Sequence, residues 1–314
     1  MKHLTKLLLI AICFIFSCSN SVEEKNYPPT DFKLNLEKGK LYGIQVQMQS
    51  LLKQTINDDV MIVNFKINYS MNFEVMKVDS SSYNINFYLY NINIELGDRN
   101  SKFKINSSFN RSTPHGDILT DLTSRIIRLK ISNKGIVKEM SGLEYYYSTI
   151  DEKIKKLPKE EITPMQSIIN QCFSKTAIKN QIEAAIGFLP SDKISKNEKW
   201  SRLGIIHIGI PMSYNSTFGI KEQSDTTMCI EGNALINSTS KSIMTDLYGQ
   251  QAVTEMNGTV VSSINFDKAT GWIISGKIKQ ECKGVFKGLK NTNFERWGEV
   301  PFTSTVIYIF KNEN

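Results

Sequence analysis

Histidine is nearly absent from this chain: there are three in 314 residues, and only His115 and His207 lie beyond the first eighteen positions. Neither stands in a nucleophile motif, and there is no Gly-X-Ser-X-Gly elbow for a serine hydrolase. No glycine-rich loop is present to cradle a phosphate. No pair of Cys or His has metal-ligand spacing, so neither a metal nor any other cofactor is expected. The chain also lacks a long basic run and any interleaving of basic with aromatic residues, which argues against nucleic acid as a partner. Acidic neighbours occur at Asp58-Asp59 and Glu160-Glu161, but adjacent carboxylates in expected turns read as solvated surface. These absences point away from an enzyme.

Long apolar runs are missing too, with one exception at the N-terminus. Lys2 and Lys6 precede the uncharged stretch Leu7 to Phe16. A membrane-spanning helix needs about 20 apolar residues, so this run fits a signal-peptide core instead. It ends Ile15-Phe16-Ser17-Cys18, which resembles the lipobox of bacterial lipoproteins, with Phe16 bulkier than the usual occupant. The resemblance implies cleavage of residues 1–17 and a lipid anchor on Cys18, which would be the membrane partner. Removing residues 1–17 lowers the net charge from +7 to +5. Residues 18–30 are polar, acidic and proline-containing and read as a flexible tether. Ser19 after the cysteine resembles lipoproteins sent to the outer membrane, so the expected place is the cell envelope.

Cysteine is scarce in the body. Cys172, Cys229 and Cys282 remain once Cys13 and Cys18 are set aside, an odd number that cannot form a full disulfide framework. Cys172 lies on the apolar face of an expected helix and reads as a small buried hydrophobe. Cys229 and Cys282 both fall on expected strands and could pair in an oxidising compartment.

What the body has in abundance is period-two patterning. Met61, Val63, Phe65, Ile67, Tyr69, Met71, Phe73 and Val75 are apolar, with polar residues between them except at Ile62. Such alternation marks a strand with one dry face. At ~3.3 Å per residue it runs about 50 Å, long enough that it must twist and curl. Tyr83 to Leu96 alternates again but changes parity, which implies a bulge near Tyr90-Asn91. Further strands are expected at 41–56, 125–132, 136–140, 200–210, 214–221, 227–237, 258–266, 271–286 and 302–311. Asn133-Lys134-Gly135 and Asp267 to Gly271 read as turns that place glycine at positive φ.

A helical insert, 142–188, interrupts the strands. Leu143, Tyr146, Tyr147, Ile150, Ile154 and Leu157 recur at helical spacing. Thr163-Pro164-Met165-Gln166 has the pattern of a capped helix start, and a last helix is expected over 175–186, ending at Gly187. The fold class that follows is mainly β with a helical insert. A long curved antiparallel sheet or half-open barrel, 31–314, wraps around two to three helices as one domain.

Several segments together resemble the Bacteroidetes-type lipoprotein family known as domain of unknown function 6263. They are Leu36 to Tyr42, Ser132 to Leu143, Phe188-Leu189-Pro190 leading to Trp200, and Phe266 to Lys283 with Thr270-Gly271-Trp272. The family often has Gly-Asp before the tryptophan, whereas this chain has Asn197-Glu198-Lys199-Trp200. The resemblance implies location and fold more than activity, with an architecture similar to periplasmic lipoprotein carriers. The function expected is a non-enzymatic envelope lipoprotein whose partner is a hydrophobic or amphipathic small molecule, held in a groove between sheet and helices. The alternatives are an envelope scaffold that meets another protein and has no pocket, or a transmembrane β-barrel, whose strands also alternate.

Overall fold

The computed structural model describes residues 27–56, 58–97, 102–107, 113–206, 212–237, 243–247, 250–288 and 299–313. The signal and lipidation readings at residues 1–17 and Cys18, and His207, lie outside these residues. Three long strands open the body: β1 (Leu41–Ile56), β2 (Asp59–Val78) and β3 (Ser82–Gly97). β4 (Lys102–Asn106), β5 (Ile127–Ser132) and β6 (Val137–Ser141) follow. After the helices come β7 (Lys199–Ile206), β8 (Met212–Gln223), β9 (Thr227–Asn237), β10 (Ile243–Leu247), β11 (Gln250–Asp267), β12 (Ile273–Gly288) and β13 (Glu299–Asn312).

All thirteen form one antiparallel sheet in the order β6-β5-β3-β2-β1-β13-β12-β11-β9-β8-β7, with β4 paired to β3 and β10 to β11. First and last long strands meet, Ile44 opposite Asn312 through Gln54 opposite Phe302. The alternation works as expected: Ile67, Met71, Phe73 and Val75 are fully buried on the inner face. The parity change in β3 is a bulge, with Asn68 opposite Asn93 but Ser70 opposite Tyr90. Asn91 takes φ 54° there, a left-handed conformation that asparagine tolerates.

Four helices occur among the described residues: α1 (Pro114–Thr123), α2 (Glu144–Ile154), α3 (Lys159–Phe173) and α4 (Lys175–Ile186). α1 is a correction, because Thr113 to Gly116 reads as a loop. Thr113 caps it by accepting from the Gly116 amide, and Pro114 stands at its start. α3 begins at Lys159, a turn before the expected capped start, and carries Pro164 inside. Pro158 precedes it without a side-chain cap.

The sheet does not close on itself. α4 packs against β6, β7 and β12, filling the gap between the two edge strands. Glu183 joins both edges: its Oε1 accepts the Val137 amide of β6 at 2.9 Å, and its Oε2 lies 3.7 Å from Arg202 of β7. One end of the curved sheet is sealed by the strap Thr30–Leu36. Leu34 donates to the Asn133 carbonyl and Asn35 to that of Thr270, so the strap ties the β5–β6 turn to the β11–β12 turn. Phe32, Leu34 and Leu36 are buried beneath it.

Candidate functional site

The groove expected between sheet and helices is packed solid. Phe173 of α3 meets Tyr69 of β2 at 6.3 Å between ring centres. The Tyr69 hydroxyl donates to Gln181 Oε1 at 2.5 Å, and Gln181 Nε2 donates to the Cys172 carbonyl at 2.9 Å. Burial holds the Tyr69 hydroxyl neutral well beyond the ordinary tyrosine range and pushes the Cys172 thiol up to about 12. This half of the interior is hydrophobic core.

The opposite end of the inner wall differs. Leu52, Ile56, Met61, Val63, Phe65 and Leu96 share the inward parity of β1, β2 and β3, yet each is only partly buried. They form an apolar strip at the end away from the strap. Within it sits Gln54, 2% exposed, opposite Met61 on β2 and Phe302 on β13. Its Nε2 is buried without a hydrogen-bond partner. On β12, Gln280 is likewise buried on the inward parity between Val260 and Val306. Its Nε2 donates to Cys282 Sγ at 3.2 Å, while its Oε1 has no partner. Leaving a buried amide group unpaired costs roughly 1–3 kcal/mol, and native interiors rarely do so. Both residues were legible as polar side chains on an apolar parity, a signal the strand patterning contains but does not rank.

The candidate disulfide is not formed: Cys172, Cys229 and Cys282 are all free. Cys229 is level with Asn265 of β11, and Cys282 with Gly258 of the same strand. Seven residues of strand therefore separate their levels, about 23 Å at ~3.3 Å each. They also take opposite parities. His115, on α1, lies 3.1 Å from Glu161 Oε2 on α3, so half of one acidic pair has a partner that spacing could not reveal. Asp58 sits in the β1–β2 turn at φ 67°. No group of His, Cys, Asp or Glu suited to a metal occurs among the described residues.

The outward face of the strands is mainly polar, with Leu51, Leu203, Leu235 and Val261 exposed among the polar side chains. Cross-strand ion pairs such as Glu95–Lys104 (2.9 Å), Glu231–Lys221 (2.6 Å) and Glu255–Lys287 (3.0 Å) decorate it. A hollow of about 640 Å³ lies at the Cys282 level of β9, β11, β12 and β13, lined by Ile236, Gly258, Cys282 and Ser304 of the inward parity and by their neighbours along each strand.

Residues 79–273 match DUF6263, a family of unknown function. The chain belongs to that family. The segments that carry the DUF6263 resemblance lie at the sealed end and its surroundings. Trp200 Nε1 donates to the Phe188 carbonyl at 2.8 Å, and the Trp272 ring packs on Tyr42 and Phe73 at 5.1 and 5.2 Å. Gly39, Gly135 and Gly271 all have positive φ. No curated protein sequence matches the chain. Among solved structures it is similar to lipovitellin, a structure concerned with lipid–protein interactions, at 10% identity and a TM-score of 0.47. That match covers 89% of this chain but only 26% of lipovitellin. It is also similar to the COG4313 outer membrane channel of Pseudomonas putida F1, at 5% identity and a TM-score of 0.25, covering 91% of this chain and 99% of the channel. A DUF1329 protein of Desulfovibrio piger shares 6% identity at a TM-score of 0.14, with 86% and 85% covered. None of the three bears on what this chain binds.

Proposed function

We propose that this DUF6263 protein is a non-enzymatic lipoprotein of the cell envelope, anchored through Cys18, that holds an apolar or amphipathic ligand at the open end of its sheet. The observation that carries the reading is the inward strip Leu52, Ile56, Met61, Val63, Phe65 and Leu96, each only partly buried, although Leu52, Ile56 and Phe65 pack against the core. Covering about 200 Å² of such surface is worth on the order of 5 kcal/mol. The anchor supports the same reading only by keeping the body at a membrane, since residues 18–30 join it at the sealed end, beside Thr30. Residues 18–30 would act as the spacer between membrane and body, and Ser19 favours the outer membrane.

The test is titration of the delipidated protein with an uncharged fluorescent hydrophobic dye. Saturable uptake near one probe per chain is expected, and uptake that never saturates overturns the proposal. Native mass spectrometry of protein taken from its own membrane then identifies what co-purifies. The packed interior around Tyr69 and Phe173 favours a second reading, an envelope scaffold that meets other proteins and takes no small molecule. The mainly polar outward face counts against a transmembrane barrel, whose outer band is apolar.

A further inference from the structure

We infer that the open end selects an uncharged amphiphile, an acyl chain bearing a hydroxyl or amide head group, and that Gln54, Gln280 and Ser304 hold the head. The inference rests on the reading of that end as a ligand site. It begins with the two incomplete amides. Gln54 presents an unpaired donor and Gln280 an unpaired acceptor, both nine-tenths or more buried and both inward-facing. The bond from Gln280 Nε2 to Cys282 Sγ draws that amide up to the level of Cys282. Ser304 lies beside Cys282 on β13, and Leu52 lies beside Ser304 on β1. Gln54 is the next inward position after Leu52. Along β13, Gln54 is level with Phe302 and Gln280 with Val306, with Ser304 between them, so the three polar side chains lie on three neighbouring strands along about 13 Å of an apolar wall.

The chemistry of the cluster narrows the head group. One open donor and one open acceptor are both satisfied by a hydroxyl or a primary amide, which can accept and donate. A carboxylate can only accept and an ammonium only donate. Charge points the same way. Inward positions of β1 from Ile44, of β12 from Gly276 to Phe286 and of β13 from Val300 to Phe310 carry no charged side chain. A buried ionised head would have no counter-charge there. The partly buried Leu52, Ile56, Met61 and Val63 supply the apolar surface for the chain of the amphiphile.

The test uses the full mature protein with its anchor, in detergent, titrated at pH 9 with mono-oleoylglycerol, oleate and octadecane. Bound probe is counted by native mass spectrometry. Mono-oleoylglycerol should bind at least tenfold more tightly than ionised oleate. Gln54→Leu and Gln280→Leu should each weaken mono-oleoylglycerol roughly fivefold, the worth of one hydrogen bond, and leave octadecane unchanged. If octadecane binds but mono-oleoylglycerol is indifferent to both exchanges, this inference falls and the apolar site stands. If none of the three probes binds the unaltered protein, the site itself falls. Should either leucine exchange prevent folding, Ser304→Ala is read against the same probes, and an unchanged mono-oleoylglycerol affinity there also overturns the inference.

Discussion

Three glycines with positive φ separate two physical reasons for the same residue. Gly39 has φ +81° and nothing within 4 Å of where a Cβ would stand. Gly135 and Gly271 have similar φ, but a Cβ would meet the Ile186 carbonyl oxygen at 2.0 Å and that of Lys33 at 2.3 Å. Gly39→Ala should therefore cost about 1 kcal/mol, the conformational term alone. Gly135→Ala and Gly271→Ala should each cost on the order of 3–4 kcal/mol, because helix end or strap must also move away. Urea unfolding of the three variants gives the comparison, and equal costs would refute it. Cys172 provides a second residue-level expectation. Its folded pKa is raised from an ordinary value near 9 to about 12 by burial alone. A raised folded value means the stabilising effect is complete below pH 9 and is lost as pH climbs toward 12. At pH 10 the loss from this thiol is on the order of 1 kcal/mol. Cys172→Val should flatten that part of the stability–pH curve, and the native thiol should resist iodoacetamide at pH 8 until the chain is unfolded.

At the scale of elements, legibility followed the strength of the period. β1 over 41–56 and β9 over 227–237 match their expected ranges residue for residue, since each repeats its alternation five times or more. β4 and β10 went unread: five residues hold few repeats, and neither follows a recognised turn as the equally short β6 follows Asn133-Lys134-Gly135. α1 was overlooked although Thr113, Pro114 and Asp117 are good start signals; Ile118, Leu119 and Leu122 make too short an apolar stripe to complete them. In α3 the signal at Thr163-Pro164 was real but misplaced, since Pro158 one turn earlier also fits a helix start. Gly187 ends α4 as expected, yet at φ −94° rather than in a left-handed turn. What demands glycine is the Glu183 carbonyl oxygen, 2.6 Å from where a Cβ would stand, with the more movable Arg202 guanidinium at the same distance. The closure by α4 had no sequence signal at all, because Glu183, Val137 and Arg202 are far apart in the chain. It can be tested through the two roles of one carboxylate. Glu183→Gln keeps an acceptor for the Val137 amide and should cost under about 1 kcal/mol, since the contact to Arg202 is long and partly exposed. Glu183→Ala strands that buried amide and should cost about 2–3 kcal/mol. Hydrogen exchange at Val137 should accelerate only in the alanine variant.

For the whole molecule, the two faces of one sheet bear on whether it can be a lipid-facing barrel. A lipid-facing barrel needs an apolar outer band and no open edge. Here ion pairs between Glu95 and Lys104 and between Glu255 and Lys287 sit on the outward face, and β6 and β7 end the sheet without pairing to each other. No helix among the described residues is long and apolar enough to cross a membrane. The proposed anchor on Cys18 can be tested against a hold of the body itself on the bilayer. Cys18→Ser, expressed behind a signal that is cleaved without the cysteine, should then move from the membrane pellet to the supernatant, with the melting temperature of the body unchanged. Several buried acyl CH₂ groups are lost with that one sulfur, each worth about 0.8 kcal/mol of membrane affinity, so the shift should be nearly complete rather than partial. Retention of the serine variant in the pellet after a high-salt wash would show that the body itself holds the membrane. The partly buried strip at its open end would then be a surface that dips into lipid rather than a site that draws lipid out.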